Sequence, residues 1–324
     1  MSRPSADGRL VGAIGFLARG GAGVVYKGLR TSFGTTDELS ARIGFARITP
    51  GVAWRATDRL TFGAAAPVNV TIAKRRVFPG TSVLNPADPA QSFYGLNLEG
   101  ARGVRMGLRL GAMWKPSAQW TLDASFSPKI KLEAKDDEAE VNLSAAGLSV
   151  VTYRDARIEG FALAREIALG AAWQASPRTL LAVKLAHLDW SDALRSVTVT
   201  LSDPAVAAAP RISQTTWVGW RDQVVIAAGV AHSPSDLLTA YAGFNYARDP
   251  APPETLTPLL AAIANRHVTG EIAWRVAEGW VASGAFEYQL DKRVRYSNPN
   301  LPLGANAEER SRYIAIQCML GRRW

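Results

Sequence analysis

The sequence predicts an all-β chain folded as one antiparallel transmembrane β-barrel, and three observations predict it. Tryptophan recurs at strand ends just before short turns, in Ala53-Trp54-Arg55, Met113-Trp114-Lys115, Ala172-Trp173-Gln174 and Ala273-Trp274-Arg275, while Trp120 and Trp280 open strands beyond two turns. Rings at that position form an aromatic girdle at a membrane interface. Apolar and polar residues also alternate with strict period two over long segments, which marks strands with two unlike faces. Finally, short and long connections alternate along the chain, as in barrels with tight periplasmic turns and long extracellular loops.

Each element rests on this alternation. Leu60, Phe62, Ala64, Ala66, Val68, Val70 and Ile72 share one parity, and Val104, Met106, Leu108, Leu110, Ala112 and Trp114 stand opposite Arg105 and Arg109. Between 122 and 134 the apolar set is Leu122, Ala124, Phe126, Pro128, Ile130, Leu132 and Ala134, and the polar set is Asp123, Ser125, Ser127, Lys129, Lys131 and Glu133. Ile272, Trp274 and Val276 oppose Glu271 and Arg275. Such runs exceed the roughly 5–6 residues of a globular strand and reach the roughly 9–11 that cross a bilayer. About twelve strands follow, near 10–18, 39–55, 59–74, 101–115, 119–134, 160–174, 178–191, 217–231, 236–247, 266–276, 279–296 and 311–324. The turns near 57, 117, 176, 234 and 278 are tight, whereas 75–100, 135–159, 192–216, 248–265 and 297–310 are long and lie outside the cell. The last strand carries Ile314, Ile316, Cys318 and Leu320 on one parity and ends in Trp324, which resembles the signal read by the barrel assembly machinery.

Composition narrows the rest. No linker divides the 324 residues, so residues 1–324 are one domain. No apolar run reaches the roughly 18 residues of a transmembrane helix, and the near-zero mean hydropathy suits a barrel whose lipid-facing and lumen-facing residues average out. The single Cys318 excludes an intrachain disulfide and a multi-cysteine metal site. A net charge of +9 is spread along the chain without a nucleic-acid-binding pattern, and suits anionic outer-membrane lipids or an anionic cargo instead. The polar stretch 1–9 and the glycine-broken stretch after it lack a secretory pattern, so a misassigned start or a fragment is expected.

Several motifs point elsewhere and are set aside. Gly20-Gly21-Ala22-Gly23-Val24-Val25-Tyr26-Lys27 looks like a kinase phosphate loop, but the chain has neither His-Arg-Asp nor Asp-Phe-Gly, so a glycine-rich strand end or loop is expected. His187, His232 and His267 have no metal-ligand spacing, and His187, Asp189 and Ser191 lie too close on one strand to converge as a triad. Neither a catalytic residue, nor a metal, nor a cofactor is expected. Asn85-Pro86-Ala87 reads as a turn, and 254–264 as a short amphipathic helix or a segment over the rim.

Inward parity carries the candidate site. Arg105, Arg109, Lys129, Lys131, Lys184 and Arg275 place positive charge in the lumen beside Leu188 and Trp190. Two readings stand: a solvated interior salt-bridged to Asp123, Glu133 and Glu271, or a cavity for an amphipathic anion. Val77, Phe78, Phe93, Tyr94, Leu96 and Leu98 in the long loop 75–100 would form an exposed uptake groove.

Four stretches together resemble one family: ITPGVAWRATDRLTFGAA at 48–65, GLRLGAMWKPSAQWTLDASF at 107–126, REIALGAAWQASPRTLLAVKLAHLDWSD at 165–192 and PPETLTPLLAAIANRHVTGEIAWR at 252–275. The chain is identified by them as a member of the FadL/TodX type of outer-membrane transporters of long-chain fatty acids and aromatic hydrocarbons. The resemblance implies a monomeric fourteen-stranded barrel with an N-terminal hatch, and passive movement of substrate from an extracellular groove to an interior pocket and out sideways through the wall. Relative to that pattern the hatch and the first two strands have no counterpart before residue 10. The basic lumen favours long-chain fatty acids as cargo, with aromatic hydrocarbons, a structural or adhesin-like barrel without cargo, and a barrel phospholipase as alternatives.

Overall fold

The computed structural model describes all residues except 1, 6, 89–90, 137, 261–262, 299–306 and 323–324; for residues 2–4, 17–22 and 260 it describes the backbone only. Trp324 therefore lies outside the described residues. A short β1 (Ser2–Pro4) pairs with the start of β2 (Leu10–Arg30), and β2 pairs along its length with β3 (Thr36–Arg55). The segments β4 (Leu60–Ala65) with β5 (Val68–Val83), and β6 (Phe93–Met106) with β7 (Arg109–Trp114), are two further passes. After β8 (Trp120–Ser127) the chain makes an outer excursion: β9 (Ile130–Lys131), β10 (Ala134–Asp136), β11 (Ala139–Asn142), β12 (Val150–Glu159) and β13 (Ala162–Leu163). It re-enters the wall in β14 (Arg165–Ser176) and β15 (Thr179–Asp189). A second excursion holds α1 (Trp190–Ala193), β16 (Ser196–Pro204) and β17 (Ile212–Trp217). The remaining wall strands are β18 (Gln223–His232), β19 (Leu238–Ala247), β20 (Arg266–Ala277), β21 (Trp280–Tyr296) and β22 (Ala307–Arg322). The wall is thus an antiparallel barrel of twelve passes, the number and order that alternation predicts.

Register explains why the wall holds in lipid. Ile167, Leu169 and Trp173 of β14 lie opposite His187, Leu185 and Leu181 of β15 and opposite Phe126, Ala124 and Trp120 of β8. Those apolar side chains are exposed, because their environment is hydrocarbon rather than protein. Trp54, Trp114, Trp120, Trp173 and Trp274 sit on this outward face at the short-turn end. Trp120 and Trp173 stack at 6.0 Å and Arg322 caps Trp280 at 5.2 Å, so the girdle is continuous across strands. Between β22 and β1 or β2 no ladder forms among the described residues; the first and last strands meet at the outer end, where Tyr26 Oη donates to Glu309 Oε1 at 3.2 Å.

Three expectations change. β2 runs to Arg30 rather than ending near 18, because β3 supplies ladder partners for the glycine run that shows no alternation of its own. The alternation of 119–134 outlasts the strand: β8 ends at Ser127, and Ile130, Leu132 and Ala134 are buried instead of facing lipid. Pro128 has no N–H for the ladder, and the chain turns inward across β6, where glycine is required because a Cβ at Gly103 would lie 2.2 Å from Glu133 O and one at Gly107 2.3 Å from Ile130 Cδ1. Three of the long connections, 75–100, 135–159 and 192–216, are largely strand rather than loop. Strands β6, β11, β12, β16 and β17 hydrogen-bond in succession as an outer extension of the wall, around a core of Leu98, Val141, Val151, Tyr153 and Leu201. In 254–264 the described residues form a turn closed by the Thr255 N–H to Pro252 O at 3.1 Å and a 3-10 turn at Pro258–Leu260, with no α-helix among them. Asn85 does make a turn, its Oδ1 accepting from the N–H of Ala87 and Asp88 at 3.2 Å each.

Candidate functional site

Alternation predicts six cations on the lumen-facing parity, and the structure gives three of them a carboxylate. Arg105 forms an ion pair with Glu133, across the segment that folds inward over β6. Lys129 Nζ lies 2.8 Å from Asp192 Oδ2, and Lys184 Nζ 3.5 Å from Glu166 Oε1. Arg109 Nη2 donates to Ser125 Oγ at 3.5 Å, while Lys131 is exposed. The Lys129 ammonium, by hydrogen bonding, holds Asp192 below the usual carboxylate range. A salt-bridged interior, the first of the two readings, describes Arg105, Lys129 and Lys184.

Apolar candidates fall in two separate places. Leu188 and Trp190 pack on Ala162, Ala164 and Ala193, with Trp190 edge-on to Trp220 at 5.0 Å and its Nε1 donating to Gln223 Oε1 at 3.3 Å. Phe78, Phe93, Tyr94 and Leu96 do not form the exposed groove expected of them. The region 75–100 is paired strand up to Val83 and again from Phe93, so Phe78 is wholly buried with Leu39 and Val77, and Phe93 packs on Phe33 and Phe78. Tyr94 and Leu96 pack against the outer core. Phe78 holds a left-handed backbone (φ 45°) and Gly95 lies so close beneath it that a Cβ there would sit 2.1 Å from Phe78 O.

A polar recess absent from the expectation lies on the opposite wall. Its volume is about 230 Å³, and Tyr241, Thr269, Glu271, Glu287 and Gln317 line it. His267 Nδ1 lies 2.8 Å from Glu287 Oε1, which also accepts from Tyr313 Oη at 2.5 Å. These residues share the inward parity of β19 to β22, so the alternation that revealed Arg105 and Lys184 contained them as well. Among the remaining histidines, His232 Nδ1 lies 3.0 Å from Thr179 Oγ1 beside a periplasmic turn.

Comparison with known proteins settles the family. Residues 18–313 match the outer membrane protein transport protein family (OMPP1/FadL/TodX). The chain belongs to this family. It is a non-enzymatic outer-membrane β-barrel transporter of Gram-negative bacteria, in a family that moves hydrophobic small molecules. Among solved structures, the toluene transporter TbuX of Ralstonia pickettii is similar at a TM-score of 0.76 and 18% identity, over 97% of this chain and 78% of that one. The Pseudomonas putida toluene transporter TodX is similar at a TM-score of 0.73 and 19% identity, with the same coverage. A Pseudomonas aeruginosa FadL homologue is similar at a TM-score of 0.74 and 15% identity, over 98% of this chain and 75% of that one. A comparison with curated protein sequences finds no match.

Proposed function

We propose that this barrel carries small aromatic hydrocarbons through the outer membrane by passive movement, rather than the long-chain fatty acids that its basic lumen first suggests. The observation that carries this reading is the engagement of Arg105, Lys129 and Lys184, half of the six predicted lumen cations, by carboxylates. A fatty-acid carboxylate needs a free Arg or Lys, and Arg105, Lys129 and Lys184 are already engaged by Glu133, Asp192 and Glu166. A neutral cargo has no such need and gains its affinity from apolar and aromatic walls. TbuX and TodX, which share this fold, are named as toluene transporters, which supports the same class. The half-buried Phe93, Tyr94 and Leu96 on the outer side, and Leu188 with Trp190 near the rim, remain the proposed apolar contacts, with Phe78 buried behind Phe93 as their support and Arg109 and Lys131 as the residues open to a polar group.

The test is uptake by Gram-negative cells that lack a transporter of this family and produce this protein in their outer membrane. Labelled toluene should enter several-fold faster than in control cells, with oleate unchanged. A gain for oleate alone would restore the fatty-acid reading, and no gain for either would leave a structural barrel.

A further inference from the structure

The outward face above the apolar belt carries cations in a row. Arg42 of β3 lies opposite Lys74 of β5, and Arg102 of β6 lies opposite Lys135 of β10, which lies opposite Arg157 of β12. Ile72 stands directly opposite Arg102, so Lys74 is its diagonal neighbour, and the five cations span five successive strands. All five are exposed, on the parity of Ile48, Ile72 and Val104, which face lipid. Like charges directly across a ladder are destabilising, and three such pairs in one row call for a shared counter-ion. Part of it is internal: Lys74 Nζ is 3.4 Å from Glu99 Oε2, and Arg157 pairs with Asp155. Arg42 and Arg102 have no ion-pair partner among the described residues, and Lys135 has none within 4 Å, only the more distant charge of Asp155 that Arg157 already engages.

Height identifies the counter-ion. Arg42 stands twelve residues beyond Trp54 on one face, and Arg102 twelve beyond Trp114. At about 3.3 Å per residue and a tilt of about 40°, both lie roughly 30 Å above the periplasmic girdle, one hydrocarbon thickness away. Apolar side chains for acyl tails lie directly below, and guanidinium and ammonium groups lie at headgroup level. Arg293 and Arg310 of β21 and β22 are also directly opposed beyond the seam, with Arg312 two residues on, but there Asp291 neutralises Arg310 through two hydrogen bonds, at 2.7 and 3.1 Å.

We propose that Arg42, Lys74, Arg102, Lys135 and Arg157 form a docking surface for the phosphate groups of the lipid A that makes up the outer leaflet. Arg binds phosphate by paired N–H donors, and each cation near an anionic lipid surface adds affinity.

The test is binding of bis-phosphorylated lipid A to the purified, folded protein in neutral detergent, followed by native mass spectrometry. The triple variant Arg42→Gln, Arg102→Gln and Lys135→Gln should bind roughly a hundredfold more weakly. The variant Arg9→Gln, Arg59→Gln and Lys115→Gln removes the same charge at the periplasmic end and should bind as the parent does. Lipid A stripped of its phosphates should bind the parent as weakly as intact lipid A binds the first variant. Equal binding of intact lipid A by parent and first variant, or of both lipids by the parent, would overturn the proposal. If the first variant does not fold, salt decides: affinity of the parent for lipid A must fall as ionic strength rises, and no fall would overturn it.

Discussion

The wall within the bilayer and the sheet that extends above it are built from the same period-two pattern and use it in opposite senses. In β14 the apolar parity faces out, with Leu169 55% exposed while inward Ala168 is 2% exposed. In β12 the apolar Val151 and Tyr153 are buried in protein, at 1% and 0%. The physics is one rule applied to two solvents: an apolar side chain seeks whatever is not water, which is lipid for the wall and neighbouring loops for the extension. The extension therefore behaves as a small globular core mounted on a barrel.

The largest expected difference comes from Tyr153. Replacing it with Ala should remove about 3–5 kcal/mol from the outer core. Amide hydrogen exchange should then rise in β11, β12 and β16 and stay unchanged in β14 and β15; equal acceleration in both would mean that the two regions are one cooperative unit. Tyr153→Phe loses only the hydrogen bond to Pro210 O, 2.9 Å long, and should cost about 1 kcal/mol.

A smaller effect sharpens the contrast within the wall. Val183 is 58% exposed on the lipid-facing parity, and Lys184 follows it on the lumen face. Val183→Arg should cost about 2–4 kcal/mol in denaturation from lipid vesicles. Lys184→Met should stay within about 1 kcal/mol, because the pair it breaks with Glu166 is solvated. A costly Lys184→Met and a harmless Val183→Arg would invert the assignment of faces.

Acid should give the smallest separation. In the extension, the hydrogen bonds from Arg157 and Ser202 hold Asp155 below its ordinary value of 3.8, and Lys129 does the same for Asp192. A carboxyl lowered by folding contributes stability that is fully present above its unfolded value and is lost as pH falls through the folded one. Exchange in β12 and around α1 should therefore quicken relative to β18 only below about pH 4. Faster exchange there on raising the pH from 5 to 8 would contradict these ion pairs.

Much of the wall was legible in the sequence because its signals are local. Trp54, Trp114, Trp173 and Trp274 announce strand ends before tight turns, and Ile167, Leu169 and Trp173 declare a lipid face without reference to any partner. The inward cations were legible by the same parity. Their partners were not: Arg105 meets Glu133, and Lys129 meets Asp192, through chain reversals that alternation cannot encode. The recess of Glu271, Glu287 and Gln317 was missed although its residues share one parity, since it appears only when neighbouring strands are set side by side in register.

What the sequence determined alone is therefore the barrel, its pass count, its two ends and which side chains of the wall strands face inward, since a period of two and a repeated aromatic girdle act within single strands. Tertiary structure alone decided that Ile130 and Leu132 turn inward, that Phe78 and Leu98 are buried rather than exposed, and that lumen charges are paired. Those outcomes depend on which segments come together in three dimensions, as where Gly103 and Gly107 leave room for the returning chain.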